Sequence, residues 1–250
     1  MNVINTSSEL QDYIASCTTD LHVTELITLL KSYPDGIDHQ FDGMSALTAA
    51  VCLHNTALVK TLVDLGATIN RWEKQHESTP LGIACDRGID EIVRILVQAG
   101  ANPNLPPPAG GKVPLICSSG GRSGLRKLRI LLDAGADVNL CSLNLKGEKS
   151  ASALSFASTT GNLETVRILL QHGADPNFVF PSGTALSQAV QDGNVEIVSL
   201  LLEFGADPNL VYTEPSGFPL AEYSRLKSPK RKNALPSSNY LKENGVNPSP

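Results

Sequence analysis

Gly161-Asn162-Leu163-Glu164-Thr165-Val166-Arg167-Ile168-Leu169-Leu170-Gln171-His172-Gly173-Ala174-Asp175-Pro176-Asn177 is a short helix with its start and stop signals written in. Leu163, Val166, Leu169 and Leu170 recur at helical spacing, Glu164 puts negative charge near the N-terminal end, and Gly173 follows the last apolar turn as a stop. Ile168 widens the apolar stripe beyond one face. A helix this short is marginal alone, so apolar surface on more than one side predicts that it is sandwiched between similar helices. The rest of the chain supplies them. Gly-Ala-x-x-Asn recurs at Gly66–Asn70, Gly100–Asn104, Gly135–Asn139, Gly173–Asn177 and Gly205–Asn209, with steps of 34, 35, 38 and 32 residues between the glycines. A period in that range predicts a solenoid of stacked units in place of one central core.

Five units share a grammar. Each opens on Ser45-Ala46-Leu47, Thr79-Pro80-Leu81, Val113-Pro114-Leu115, Ser152-Ala153-Leu154 or Thr184-Ala185-Leu186. A Ser or Thr hydroxyl there caps a helix, and Pro at the first helical position gives up an N–H that has no partner anyway. Val113 cannot cap, so its unit is expected to be a weak joint. Gly88, Gly161 and Gly193 end the first helix of their units, and a second apolar helix runs to the Gly-Ala turn. Before these units, Thr6-Ser7-Ser8-Glu9 reads as a capping box ahead of Leu10, Tyr13, Ile14 and Cys17, with a second helix through Leu26, Ile27, Leu29 and Leu30. After them, Ser216–Ala221 opens a seventh unit that loses its pattern from Arg225 onward.

This grammar resembles that of ankyrin repeats from about Asp20 to Asn209. The resemblance implies an all-α fold, an ankyrin-repeat solenoid of stacked helix-turn-helix units with β-hairpin fingers. The chain is then one domain over 1–250: an atypical N-terminal cap over 1–38, repeats over 39–70, 71–104, 105–139, 140–177 and 178–209, and a degenerate C-terminal cap with a tail over 210–250. One departure stands out. The His that the family carries after Thr-Pro-Leu is replaced by Thr48, Gly82, Ile116, Ser155 and Ser187, which predicts weaker hydrogen bonding between repeats.

Composition narrows the function. A net charge of −5 and a pI near 5.5 argue against a general nucleic-acid binder. The five cysteines are scattered, with no Cys-x-x-Cys spacing, which argues against a disulfide or zinc framework. Met1–Ser16 lacks a basic start followed by an apolar core, and no apolar run approaches the length of a membrane span. The expectation is a soluble, cytoplasmic, monomeric protein; Lys230-Arg231-Lys232 resembles a nuclear-import patch, equally explained as a solvated loop. No histidine pair has metal-ligand spacing and no nucleophile motif is present, so neither enzyme activity, cofactor nor metal is expected.

Charge is uneven: Lys112, Arg122, Arg126, Lys127, Arg129, Lys146 and Lys149 face only Asp133, Asp137 and Glu148 over residues 112–149. Solvated helix surface explains such an island, and an acidic partner is the alternative. Gly120-Gly121-Arg122-Ser123-Gly124 ahead of Arg126 and Lys127 suggests an anion or phosphoinositide cradle over 120–127. The competing account is an inserted turn residue, tolerated because glycine accepts positive φ.

The resemblance places partner binding on the hairpin fingers and the first helices, and the fingers vary more than the helices. They are His39–Met44, Arg71–Ser78, Leu105–Lys112, Leu140–Ala151, Phe178–Gly183 and Leu210–Gly217. Leu105-Pro106-Pro107-Pro108 is stiffened toward polyproline geometry. Phe41, Trp72, Phe178, Phe180 and Tyr212 all fall in fingers, where aromatics suit interface centres. Phe41 and Phe180 fold back over the hairpin base or meet a partner, whereas the polar run around Trp72 predicts exposure. Cys52, Leu53, Asp86, Arg87, Thr159, Thr160, Gln191 and Asp192 occupy the groove-facing positions of the first helices. The candidate partner-binding residues are Trp72, Lys74, His76, Arg87, Lys112, Leu143, Leu145, Lys146, Lys149, Phe178 and Tyr212, and the expected partner is another protein. The functional expectation is a non-catalytic scaffold, adaptor or inhibitor. The alternative is the targeting subunit of a separate enzyme such as a ubiquitin ligase or phosphatase. Leu131 through Asn139 also resembles the asparagine-hydroxylation context of some animal ankyrin proteins, with stabilisation of its own turn as the plainer role of Asn139.

Overall fold

A computed structural model describes residues 4–17, 19–73, 76–105, 110–111, 113–120 and 124–210. The chain divides into two compact units, one of residues 1–118 with 126–137, the other of 119–125 with 138–250.

The first unit begins with α1 (Ser7–Ser16), whose capping box forms as read: Thr6 Oγ1 accepts from the Glu9 N–H and the Glu9 carboxylate accepts from the Thr6 N–H. Next comes α2 (Asp20–Lys31), and Leu10, Ile14, Leu26 and Leu30 are buried between these helices and their neighbours. A hairpin of β1 (Gln40–Phe41) and β2 (Met44–Ser45) leads into α3 (Ala46–Cys52) and α4 (Thr56–Asp64). Then follow α5 (Pro80–Arg87), α6 (Asp90–Gln98), α7 (Pro114–Ser118) and most of α8 (Gly124–Asp133). First helices stack in one row, α3 on α5 on α7, and second helices in another, α4 on α6.

The second unit repeats the plan. Strands β3 (Ser142–Leu143) and β4 (Lys149–Ala151) pair antiparallel and precede α9 (Ala153–Thr160), α10 (Leu163–Gln171), α11 (Ala185–Gln191) and α12 (Val195–Glu203). Here α9 packs on α11 and α10 on α12. The quoted helix buries Val166, Ile168, Leu169 and Leu170, so its apolar residues are covered on more than one side. The all-α class with small hairpins is the observed one.

Helix starts follow the predicted chemistry. Ser45, Thr79, Ser152 and Thr184 accept from the backbone N–H three residues on, and Pro80 occupies the first turn of α5. The second helices use Asn55, Asn162 and Asn194 in the same way. Val113 stands at the cap position of α7, since its carbonyl accepts from the Cys117 N–H, and it has no side-chain acceptor. Helix α7 spans five residues where α5 and α9 span eight.

At the other end of each pair, Gly66, Gly100, Gly135, Gly173 and Gly205 hold φ between +80° and +90°. A Cβ there would meet nothing within 4 Å, so backbone conformation and not space demands glycine. The next residue's N–H turns back onto the helix, Ala101 to Leu96 and Ala174 to Leu169, which closes a Schellman-type stop. The asparagine that ends the motif reaches into the following repeat. Asn70 Nδ2 donates to the Gly100 carbonyl at 3.1 Å while its Oδ1 accepts from the Asn102 N–H at 2.8 Å. Asn104 does the same to Gly135 and Asp137, Asn139 to Gly173 and Asp175, and Asn177 to Gly205 and Asp207. The turn-stabilising role assigned to Asn139 is therefore carried out on the turn of the next repeat.

Two outcomes follow. Asn104→Asp keeps an acceptor for Asp137 but loses the donor to Gly135, and urea unfolding should show a loss of about 0.5–1.5 kcal/mol. Asn104→Ala, which loses both bonds, should cost more; equal stability of all three proteins would mean the ladder does not couple repeats. Burial in α5 pushes the Cys85 thiol up to about 12. The unfolded thiol ionises above its ordinary value near 9, so this contribution to stability is complete below pH 9 and declines as pH rises toward 12. The decline is at most about 1.4 kcal/mol per pH unit. Cys85→Ala should flatten the pH dependence of unfolding above pH 9, and an unchanged slope would exclude the thiol as its source.

Candidate functional site

The described fingers are built on the same frame and end in different chemistry. In the first unit, the finger Arg71–Ser78 turns a carboxylate inward. Glu73, 0% exposed, accepts from Ser45 Oγ at 2.7 Å, from the Ser45 N–H at 3.3 Å and from Thr48 Oγ1 at 2.9 Å. Its backbone is fixed by the bridge to Ser78. The hydrogen bond between repeats expected to be missing at Thr48 is thus remade, with the carboxylate supplied by the next finger. At the equivalent positions, Ser155 and Ser187 instead complete capping boxes with Ser152 and Thr184 inside their own helices.

The same finger corrects the reading of Trp72. It is half-buried, between inward-turned Glu73 and Arg71, whose Nη1 donates to the Asp38 carbonyl at 3.0 Å. His76 and Arg87 come together around the end of α3: His76 Nε2 lies 3.6 Å from Cys52 Sγ, and Arg87 Nη1 donates to the Cys52 carbonyl at 3.3 Å. Burial raises the Cys52 thiol above its ordinary value, with Arg87 opposing and Glu73 adding to the shift. Leu53, Asp86 and Arg87 are exposed, as are Thr159, Thr160, Gln191 and Asp192 in the second unit.

In the second unit the finger Leu140–Ala151 forms β3–β4 with a closed tip. Asn144 Oδ1 accepts from the N–H groups of Lys146 and Glu148, and the Asn144 N–H donates to the Glu148 carbonyl at 2.8 Å. Leu143 is half-buried; Leu145, at the tip, is 84% exposed, and Lys146 and Lys149 are exposed. Lys149 Nζ sits 4.6 Å above the Phe178 ring, which stacks at 5.1 Å on Phe180. Phe180 and Phe41 are both buried, which settles them as hairpin supports. Of the sequence-derived candidates, Leu143, Leu145, Lys146, Lys149 and Phe178 therefore belong to one pair of adjoining fingers. Lys74, Lys112 and Tyr212 lie outside the described residues, as do the Pro106–Pro108 stiffening, Lys230–Lys232 and the degenerate C-terminal cap.

The glycine-rich turn takes a different form from its sequence reading. Gly120 does not adopt positive φ; a Cβ there would lie 2.8 Å from Phe156 Cε1, so the glycine admits the ring of a half-exposed Phe on α9. Lys127 is not solvated. It is 3% exposed, with Nζ donating to the Cys85 carbonyl at 3.0 Å near the C-terminal end of α5, where helix carbonyls attract cations. An anion cradle over 120–127 loses one of its cations, and Arg122 lies outside the described residues. Among the described residues no group of three or more His, Cys, Asp or Glu is placed to hold a metal ion, and no helix is long and apolar enough to cross a membrane.

Comparison with known proteins agrees with this frame. The family described as "Ankyrin repeats (3 copies)" matches residues 13–106 and 115–212. The chain belongs to the ankyrin repeat family. Ankyrin repeats are modules of protein–protein interaction. The Ankyrin repeat and SOCS box protein 6 of Homo sapiens is 30% identical over 151 residues, covering 53% of this chain and 36% of that protein. The B-cell lymphoma 3 protein homolog of Mus musculus is 32% identical over 138 residues, 54% of this chain and 30% of that one. The chain thus matches about a third of each relative's length. The crystal structure of the human ASB11 ankyrin repeat domain superposes with a TM-score of 0.67 at 22% identity, covering 97% of this chain and 98% of that one, a likeness of fold.

Glu73, Lys127 and Phe156 were not singled out by sequence for the positions they occupy here, since each is defined by a contact 25 to 42 residues away. Replacing Glu73 with Gln puts a donor where Ser45 and Thr48 supply donors. The expected loss is about 1–3 kcal/mol, read by urea unfolding. An unaltered midpoint would show that the buried carboxylate is not needed to join these two ankyrin repeats.

Proposed function

We propose that this ankyrin-repeat chain is a non-catalytic scaffold, adaptor or inhibitor that captures one partner protein through its fingers and the exposed ends of its first helices. The observation that carries the reading is the separation of surfaces. The apolar helix faces and the asparagine ladder are used within the stack, while Leu145, Lys146, Lys149, Arg87, Thr159 and Thr160 are exposed. Large side chains held outward by an ordered frame suit recognition because little freedom remains to be lost on binding. The five free cysteines suit a reducing compartment, and we place the protein in the cytoplasm as a monomer.

A second reading, the targeting subunit of a separate enzyme such as a ubiquitin ligase, is favoured by one observation: a relative by name joins ankyrin repeats to a SOCS box. Affinity capture from the native cell's lysate with mass spectrometry tests both. Wild-type protein is compared with a Trp72→Ala, Lys146→Ala, Lys149→Ala variant. A partner retained by the wild type and lost by the variant is the expected result, and a co-purifying catalytic subunit would select the second reading. Equal recovery by both proteins would remove these residues from the binding surface.

A further inference from the structure

We infer that the tip of the finger Leu140–Ala151 is an anchor that inserts Leu145 into an apolar pocket of a partner protein, with carboxylates on the rim of that pocket meeting Lys146 and Lys149. The inference rests on the protein-binding reading and adds the chemistry of the partner. Four hydrogen bonds close the tip: Asn144 Oδ1 accepts from Lys146 N–H at 2.9 Å and Glu148 N–H at 3.0 Å, the Asn144 N–H donates to the Glu148 carbonyl, and the Gly147 N–H donates to the Asn144 carbonyl. Gly147 takes φ +79°, which the tight turn requires. This closure has no use for Leu145, which is 84% exposed. A large aliphatic side chain held outward on a closed turn is a shape that an apolar pocket can receive as an anchor.

Charge supplies the rim. Glu148, the acidic neighbour, is engaged by Asn144 Nδ2 at 2.9 Å. Among the described residues the ion pairs are His39 with Asp35 and Arg94 with Glu91, so Lys146 and Lys149 are left unmatched by any carboxylate. Lys149 is aimed by the Phe178 ring beneath it, itself braced on buried Phe180. Two unmatched ammonium groups on the same finger as one apolar knob favour an acidic rim and disfavour a basic one. An anionic lipid surface offers the same charge, but one leucine at a tip is a small insertion, and the adjoining aromatics are tied into the ring stack. The occupant is therefore a protein pocket.

The test places a photo-reactive leucine analogue at position 145 of the full chain and, in a second protein, at position 53 on the end of α3. Each is irradiated in lysate of the native cell and the cross-linked peptide is mapped. The expected result is an adduct from position 145 to an apolar residue of one protein with Asp or Glu around it. Its yield should fall roughly tenfold when Lys146→Glu and Lys149→Glu are introduced, as for loss of a hot spot. Both lysines are exposed, and an unchanged circular dichroism spectrum verifies that the variant folds. No adduct from position 145, an adduct without neighbouring carboxylates, or one unaffected by charge reversal would each overturn the inference. So would binding to phosphatidylserine vesicles that Leu145→Ala abolishes. An adduct from position 53 without one from 145 would leave the protein-binding reading standing and remove only the anchor; silence at both positions would count against both.

Discussion

One asparagine side chain per repeat joins the turn it ends to the next such turn. Its amide donates to the carbonyl of the glycine that ends the following pair, and its oxygen accepts from an N–H two residues further on, at Asn70, Asn104, Asn139 and Asn177 alike. Both groups it satisfies belong to a helix terminus, where backbone donors and acceptors lack intrahelical partners. The bond forms only if the neighbouring glycine has turned the chain into the left-handed region and aimed its carbonyl outward. Glycine and asparagine are thus one device divided between two repeats, and neither is useful without the other's repeat in place. That dependence explains how helices of five to ten residues persist although each is too short to be stable alone.

The first helices solve the same problem at their starts in several ways. Ser152 and Thr184 rely on serines within their own first turn, so those starts are locally complete. Ser45 and Thr48 instead look to Glu73 on the next finger, and at the opposite end of a first helix the Cys85 carbonyl of α5 receives the ammonium of Lys127 from α8. Long-range charged groups here do what a local cap does elsewhere. Each is buried, which makes it costly to remove and ties the neighbouring repeats to one another at that point.

This difference decides what could be read from the amino-acid order. Caps, glycine stops and the period are local, so Thr6, Ser45, Gly173 and the helix boundaries around them were legible. The ladder was half legible: the asparagines were visible, but their partners lie 28 to 36 residues on, and Asn139 looked like a residue serving its own turn. Lys127 looked like surface charge because its neighbours Arg126 and Arg129 are charged too, and only the end of α5 gives it a reason to be buried. In sequence Gly120 reads as a turn glycine, whereas the constraint on it is the Phe156 ring. The five candidate residues of the finger pair were legible as a set because finger length, aromatic placement and lysine content are visible without knowing any contact.

The division of labour between ladder and fingers bears on how recognition is set. The ladder and the apolar faces of paired helices hold the stack through residues at the base of each turn. A finger leaves that base and returns to it, so its length and tip chemistry can change while the base stays the same. The finger Leu140–Ala151 uses this freedom, closing its own tip through Asn144 and so depending little on the stack for its shape. The finger Arg71–Ser78 gives the freedom up, because Glu73 is committed to the helix start of the preceding repeat. A change at the exposed tip of the first leaves the contacts of the stack in place; a change at Glu73 alters whether two repeats stay joined. A self-closed tip and a repeat-coupling carboxylate therefore sit on separate fingers, which lets the tip vary without disturbing the helix start that Glu73 holds.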